Sequence, residues 1–331
     1  MRAAVMGLGS WGTAFGVVLA DAGHEVQIWG RNAERVSVVQ QTRRNDAFHP
    51  GLQLPPAITA VSDPREALSD AQLVVLAIPA QSLRDNLAAW GHQVPTDAIV
   101  LSLLKGLERG THLRMSQVVL AETSIPEERV AVLSGPNLAR EVVQRQPTAS
   151  VVACVSESGG AQVQEWVRTE YFRPYTGSDV IGVELGGVVK NVIALATGMA
   201  EGMGFGDNSK AAIMTRGLAE MTRLGRAMRA DPLTFMGLAG VGDLVATCSS
   251  PLSRNRTFGE NLGRGMSLDE VVAITSQTAE GVTSSEAVLE LAREHDVDMP
   301  ITEHVSGVLT KGWSPRDTVR SLMGRVAKPE W

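Results

Sequence analysis

Gly7-Leu8-Gly9-Ser10-Trp11-Gly12 stands between the apolar run Ala3–Met6 and the stretch Thr13-Ala14-Phe15-Gly16-Val17-Val18-Leu19-Ala20, whose periodicity is helical and ends near Gly23. In such a strand–turn–helix unit the first glycine permits the tight turn and the second lets backbone approach a pyrophosphate. The third lets helix and strand pack closely. The helix amides then face the phosphates, where the positive end of the helix dipole favours negative charge. The six-residue pattern alone also describes a glycine turn with no ligand. The flanking strand and helix, and a second strand after them, turn the reading to dinucleotide binding.

That second strand, Glu25–Trp29, ends in Gly30-Arg31-Asn32. A site selective for NAD offers an Asp or Glu to the ribose hydroxyls at this place, and none stands here. Arg31, with Arg35 one helical turn on, suits the 2′-phosphate of NADPH (NADP+), because guanidinium pairs well with that dianion. Two solvated arginines are the other reading of the pair, and it leaves NADH (NAD+) open as a cofactor.

Outward from this unit, short β-branched runs alternate with helical stretches: Leu73–Ala77, Ile99–Ser102, Val130–Leu133 and Ser150–Cys154 read as further strands. After Ile181 the texture changes. Val183–Met199, Lys210–Met228, Ser284–Glu294, Ile301–Leu309 and Pro315–Met323 all read as helices, and strand-like runs disappear. The expected architecture is α/β: an N-terminal Rossmann-type doubly wound parallel sheet over residues 1–180, binding the dinucleotide, and an all-α C-terminal domain over residues 181–331, carrying substrate and catalysis. Ser314, Pro315 and Asp317 read as a cap, first position and acidic first turn for the last helix, with Gly312 as a stop for the one before.

The bulk numbers bound the function. Apolar residues make up 44% and charged residues 20% of 331, the balance of an ordinary globular protein of two-domain size. A net charge of −6 argues against general nucleic-acid affinity, so any phosphate site is local. Cys154 and Cys248 form neither a disulfide framework nor a paired-cysteine metal site, and the six histidines show no metal-ligand spacing. Most of those histidines read as surface or helix-end residues. No signal peptide is recognised and no apolar run is read as approaching the roughly 20 residues that cross a bilayer. A cytoplasmic protein without membrane insertion is expected.

Four polar clusters interrupt otherwise apolar segments. Lys105 lies just past the strand ending at Ser102, where doubly wound folds place their ligands, and Ser134-Gly135-Pro136-Asn137-Leu138-Ala139 lies just past another strand. Gly182–Ala194 puts Lys190 and Asn191 inside an apolar, glycine-containing helix, where a charge is costly unless paired or neutralised. Gly240-Val241-Gly242-Asp243 is followed by Ser253-Arg254-Asn255-Arg256, a hydroxyl, guanidinium and amide set that suits a substrate phosphate. Each cluster singly also reads as a capped turn or a surface ion pair.

Together they resemble the bacterial glycerol-3-phosphate dehydrogenase family, from the Gly7 loop to the last helices. Gly135-Pro136-Asn137-Leu138-Ala139, Val183-Glu184-Leu185-Gly186-Gly187 with Lys190-Asn191-Val192, Gly206-Asp207-Asn208, and Gly240–Asp243 with Ser253-Arg254-Asn255-Arg256 stand in the family's order. The resemblance implies a reversible hydride transfer between NADPH or NADH and dihydroxyacetone phosphate (DHAP), giving sn-glycerol 3-phosphate for phospholipid synthesis. It implies that Lys190 is the acid and base, that Asp243 orients that lysine or a substrate hydroxyl, and that Lys105 touches substrate and cofactor together. Gly135, Asn137 and Asn191 match further substrate contacts, and Ser253, Arg254 and Asn255 the phosphate cradle. Gly7, Gly9, Ser10, Trp11, Gly12, Arg31, Arg35, Lys105, Ala139, Arg254 and Glu280 are the expected cofactor contacts. No metal is expected.

Two departures from the family's pattern stand out. Thr283-Ser284-Ser285 follows Glu280-Gly281-Val282 where an Arg followed by Thr is usual, and Asn137 replaces a Ser or Thr. Another reductase of the same architecture, acting on a 2-hydroxyacid, a 3-hydroxyacid or ketopantoate, is the nearest rival, and a dinucleotide-binding sensor the rival from another class. Apolar helices in the second half leave either an internal core or a homodimer interface open.

Overall fold

The computed structural model describes residues 1–275, 279–324 and 326. Eight strands form one sheet: β1 (Arg2–Met6), β2 (Glu25–Trp29), β3 (Ile58–Val61), β4 (Leu73–Leu76), β5 (Ile99–Ser102), β6 (Val130–Ser134), β7 (Thr148–Cys154) and β8 (Phe172–Gly177). Their order is β3-β2-β1-β4-β5-β6-β7-β8. β1 to β6 run parallel, β7 is antiparallel to β6, and β8 is parallel to β7. The crossovers are α1 (Ser10–Asp21), α2 (Ala33–Thr42), α3 (Pro64–Leu68), α4 (Leu83–Trp90), α5 (Met115–Glu122), α6 (Ala139–Val143) and α7 (Glu157–Val167).

Alternation along β1 shows why helices cover both faces. Ala3 and Val5 belong to one buried cluster with Phe15 and Ile28, while Ala4 and Met6 belong to another with Trp29, Leu83 and Trp90. Chain order reverses at β1, so the Gly7 turn opens at the switch point beside β4.

Two strands escape the sequence pattern. β3 is only four residues long and follows Pro55-Pro56, and β8 carries Pro174 and mostly exposed residues because it is a sheet edge, where a strand tolerates proline.

The second half is helical: α8 (Val180–Gly202), α9 (Asp207–Ala227), α10 (Asp243–Ser249), α11 (Arg254–Gly263), α12 (Leu268–Ile274), α13 (Glu280–Glu294), α14 (Pro300–Lys311) and α15 (Pro315–Met323). Gly312 ends α14 in the left-handed region as expected, but the Ser314 side chain makes no capping bond to α15. α8 corrects the expectation about membrane-length runs. It is 23 residues long with a mean hydropathy of 1.6 over its most apolar window, yet 83% of that window is buried, because α8 is the central core helix.

Backbone approach explains its glycines. A Cβ on Gly198 would fall 2.0 Å from the Arg256 carbonyl oxygen and one on Gly202 2.1 Å from that of Glu260. In return, a Cβ on Gly259 would fall 2.1 Å from the Leu195 oxygen and one on Gly263 2.2 Å from that of Met199. α8 and α11 therefore touch backbone to backbone at four points, and no side chain fits between them. Gly198→Ala is expected to lower unfolding free energy by about 1–3 kcal/mol or more through overpacking, read from urea denaturation, with an unchanged m-value.

Candidate functional site

The glycine turn is shaped by close contacts. Gly7 has φ +142°, and a Cβ there would sit 2.3 Å from the Ala77 oxygen, whereas one on Gly12 would sit 1.9 Å from the Gly7 oxygen. Gly9 begins α1, and a Cβ there would meet only open space, so a ligand can approach its backbone. Two side chains missed by sequence reasoning hold the turn from beneath. Asn45 Nδ2 donates to the Leu8 oxygen (3.2 Å) and to Thr13 Oγ1 (2.8 Å). Burial holds the His49 ring below its ordinary pKa, so the neutral ring donates from Nε2 to the Ser10 oxygen at 2.8 Å. Neither Asn45 nor His49 lies in a recognisable pattern, and His49 is buried rather than a surface residue.

Around this turn, Trp11 packs edge-on against Phe15, with ring centroids 5.8 Å apart. Arg31 and Arg35 are both exposed beyond β2, and the Arg35 guanidinium lies over the Phe48 ring at 5.5 Å. Ala139 opens α6 just past β6. An open phosphate-facing helix start, flanked by two exposed guanidiniums, fits a dinucleotide with an extra phosphate.

Beyond the carboxyl ends of β5 and β6, three charged groups converge. Lys105 Nζ donates to Asp243 Oδ2 (2.7 Å), Asn137 Oδ1 (3.0 Å) and the Gly135 oxygen (3.3 Å). Lys190 Nζ donates to the other carboxylate oxygen, Asp243 Oδ1 (2.6 Å), and to Thr247 Oγ1 (2.7 Å). Thr247 stands one turn after Asp243 on α10. That i,i+4 spacing, which puts both on one helix face, was the available signal for it. Asp243 is 2% and Lys190 6% exposed. Burial alone would raise the Asp243 carboxyl, but the two ammonium charges overcome it and hold it below the usual carboxylate range. Burial pushes Lys105 down to about 8, against the pull of Asp243 and with the help of the Lys190 charge.

Helix α8 presses on this group through a glycine pair. A Cβ on Gly186 would meet the Ala239 oxygen at 2.4 Å, and one on Gly187 would meet Ser134 Oγ at 2.9 Å and the Lys105 stem at 3.3 Å. Ala239 belongs to a π-helical turn, Leu238–Gly242, which feeds Asp243 into α10.

The Ser253–Arg256 stretch at the start of α11 is anchored by a chain of amide bonds. Asn255 is buried, with Nδ2 donating to Asn191 Oδ1 (2.9 Å) and Oδ1 accepting from the Gly281 amide (2.9 Å). Asn191 Nδ2 in turn donates to the Gly187 oxygen (3.1 Å) and reaches the Lys105 oxygen (3.4 Å). Both amides thus tie α8, α11 and α13 together, and Asn255 keeps one N–H donor beyond these bonds. Ser253 caps α11 by accepting from the Arg256 amide (3.3 Å). Arg254 is exposed and forms no ion pair among the described residues, while Glu280 contacts the Ala80 amide at 3.5 Å.

Two ammoniums against one carboxylate leave one net positive charge in this group. The cleft is suited to a small anion with an oxygen to protonate. Among the described residues, no three His, Cys, Asp or Glu side chains gather as a metal site.

Comparison with known proteins follows the same outline. Residues 2–159 match the family described as NAD-dependent glycerol-3-phosphate dehydrogenase N-terminus, and residues 179–320 its C-terminus. The chain belongs to the NAD-dependent glycerol-3-phosphate dehydrogenase family. It is 57% identical to the glycerol-3-phosphate dehydrogenase [NAD(P)+] of Streptomyces griseus over 330 residues, covering all of this chain and 98% of that one. The crystal structure of glycerol-3-phosphate dehydrogenase from Coxiella burnetii superposes with a TM-score of 0.93 at 35% identity, over 98% of this chain and 99% of that one. A ketopantoate reductase from Ralstonia eutropha shares the fold alone, with a TM-score of 0.62 at 17% identity over 96% of this chain and all of that one.

Asp243 is the carboxylate that both lysines share. Asp243→Asn leaves the buried Lys190 and the half-buried Lys105 ammoniums without their carboxylate and is expected to cost about 3–5 kcal/mol of stability at pH 7, measured by denaturant unfolding beside the wild type.

Proposed function

We propose that this chain is an sn-glycerol-3-phosphate dehydrogenase [NAD(P)+], moving a hydride between NADPH or NADH and DHAP. The observation that carries the proposal is the Lys105–Asp243–Lys190 group beyond the carboxyl ends of β5 and β6. The full-length likeness to dehydrogenases of that name supports it. Residues 1–180 would bind the dinucleotide and residues 181–331 would supply the catalytic lysine and the phosphate contacts.

Gly7, Gly9, Ser10, Trp11, Gly12, Ala139 and Glu280 would hold the nucleotide, with Arg31 and Arg35 on a 2′-phosphate, and the bound nicotinamide supplies the hydride chemistry. The rest falls to this chain. Lys190 gives a proton to the ketone oxygen in reduction and takes the hydroxyl proton in reverse, held in place by Asp243 and Thr247. Lys105, steadied by Gly135 and Asn137, polarises the same oxygen and faces the cofactor. Arg254 and the open amides at the start of α11 receive the phosphate, while Ser253, Asn191 and Asn255 shape that end of the cleft.

We further propose a cytoplasmic, homodimeric enzyme whose product feeds glycerophospholipid synthesis; the exposed apolar side chains of Leu233 and Met236 support a contact between copies.

The test is initial-rate oxidation of NADPH and of NADH with DHAP, with pyruvate and ketopantoate as decoys. Fast loss of NADPH with DHAP and slow loss of NADH are expected, and turnover confined to a decoy would overturn the substrate. Lys190→Met should lower kcat by about 10²–10⁴-fold, the usual worth of a positioned acid. The pH profile carries a sign as well. Lys105 is charged below about 8 and loses its proton as pH rises through that value, so kcat/KM for the phosphorylated ketone should fall on the alkaline side.

A further inference from the structure

Lys105 reaches Asp243 from a strap, residues 105–116, that follows β5, packs Leu107 into the helical half of the molecule and ends in the first turn of α5. Leu107 is fully buried among helical core residues, and Leu107 and Arg114 pair as an antiparallel bridge that folds the strap on itself. α8 grips this strap at both ends. At the start, Asn191 Nδ2 reaches the Lys105 oxygen. At the end, Glu184, itself 6% exposed, accepts from the Ser116 amide (2.8 Å), from Ser116 Oγ (2.6 Å) and from Arg114 Nη1 (2.6 Å).

The middle of the strap is held from the other side by Arg84, which donates from Nε and Nη2 to Glu108 at 2.8 Å each, and by Gln81, whose Nε2 donates to the Leu107 oxygen at 2.7 Å. Arg109 Nε donates to the Thr283 oxygen at 3.1 Å, and His112 lies between Glu290 and Glu294, whose side chains are 45% and 56% exposed. Exposed pairs of that kind are screened by solvent. Glu184 is the driest of these ion-pair contacts, a carboxylate inside an apolar helix whose bonds all go to the strap.

We infer that Glu184 is a positioning residue for the lysine pair: through Arg114 and Ser116 it fixes the strap, and with it the Lys105 ammonium, on the helix that carries Lys190. Six residues of α8, about 9 Å of helix axis, separate Glu184 from Lys190. The helix acts as a ruler between the two ammoniums, and Asp243 closes the gap. The inference rests on the dehydrogenase function proposed above.

Glu184→Gln and Ser116→Ala test it in the full-length enzyme with NADPH and DHAP. In Glu184→Gln, kcat should fall by up to about 10²-fold, the effect of a displacement near 1 Å. NADPH binding, followed by its fluorescence, should stay unchanged. The alkaline limb of kcat/KM should move upward toward the ordinary lysine value of about 10.4 as Lys105 loosens into solvent. Ser116→Ala removes one hydroxyl and keeps the amide donor, so it should show the same changes in smaller measure even where Glu184→Gln fails to fold. A lowered Tm with kcat and pH profile unchanged would make Glu184 merely structural and overturn the inference, as would a loss of NADPH binding in step with kcat. A wild type silent on DHAP would overturn the proposed function, whereas an active wild type with unchanged variants overturns this role alone.

Discussion

One buried carboxylate shared by a buried lysine, Lys190, and a half-buried one, Lys105, is the interaction on which the rest of this molecule turns. Asp243 gives one oxygen to Lys105 and the other to Lys190, and those lysines come from opposite halves of the chain. Desolvating three charges is expensive, and the cost is offset only when each is paired and hydrogen-bonded in good geometry. Asn137, Gly135, Thr247 and Ser134 complete that geometry. The surplus positive charge is what the site offers to an anionic, oxygen-bearing substrate.

Bringing the two lysines onto one carboxylate constrains the scaffold around them. The sheet must end at β5 and β6 with loops that face the helices, which the parallel order around β1 provides. α8 must lie close enough to press on Lys105 and on the turn before Asp243, which requires the bare backbone of Gly186 and Gly187. Its far end is pinned by the same device against α11, which carries Arg254 and Asn255. Close backbone packing therefore passes rigidity from the core directly to the site.

Much of this was legible in the chain. The glycine turn is a local motif whose three glycines each have a steric task, and the period switch near residue 180 separates sheet from helices. Lys190 and Asp243 stand out because charges in apolar runs need partners. What stayed hidden depends on long-range contact. Asn45 and His49 support the turn from more than thirty residues away, and Glu184 looks like an ordinary motif residue until Arg114 and Ser116 arrive beside it. Asn255 reads in the chain as part of a phosphate cluster, and its bonds to Asn191 and Gly281, which anchor that cluster to α8 and α13, show only in the fold. β8 was missed because an edge strand need not alternate and tolerates Pro174.

The most direct measurement is a crystal structure of the ternary complex with NADP+ and sn-glycerol 3-phosphate. The account predicts the phosphate at Arg254 and the start of α11, with the C2 hydroxyl within hydrogen-bond distance of Lys190 Nζ and Lys105 nearby. A phosphate bound elsewhere, or a C2 hydroxyl facing away from both lysines, would contradict it.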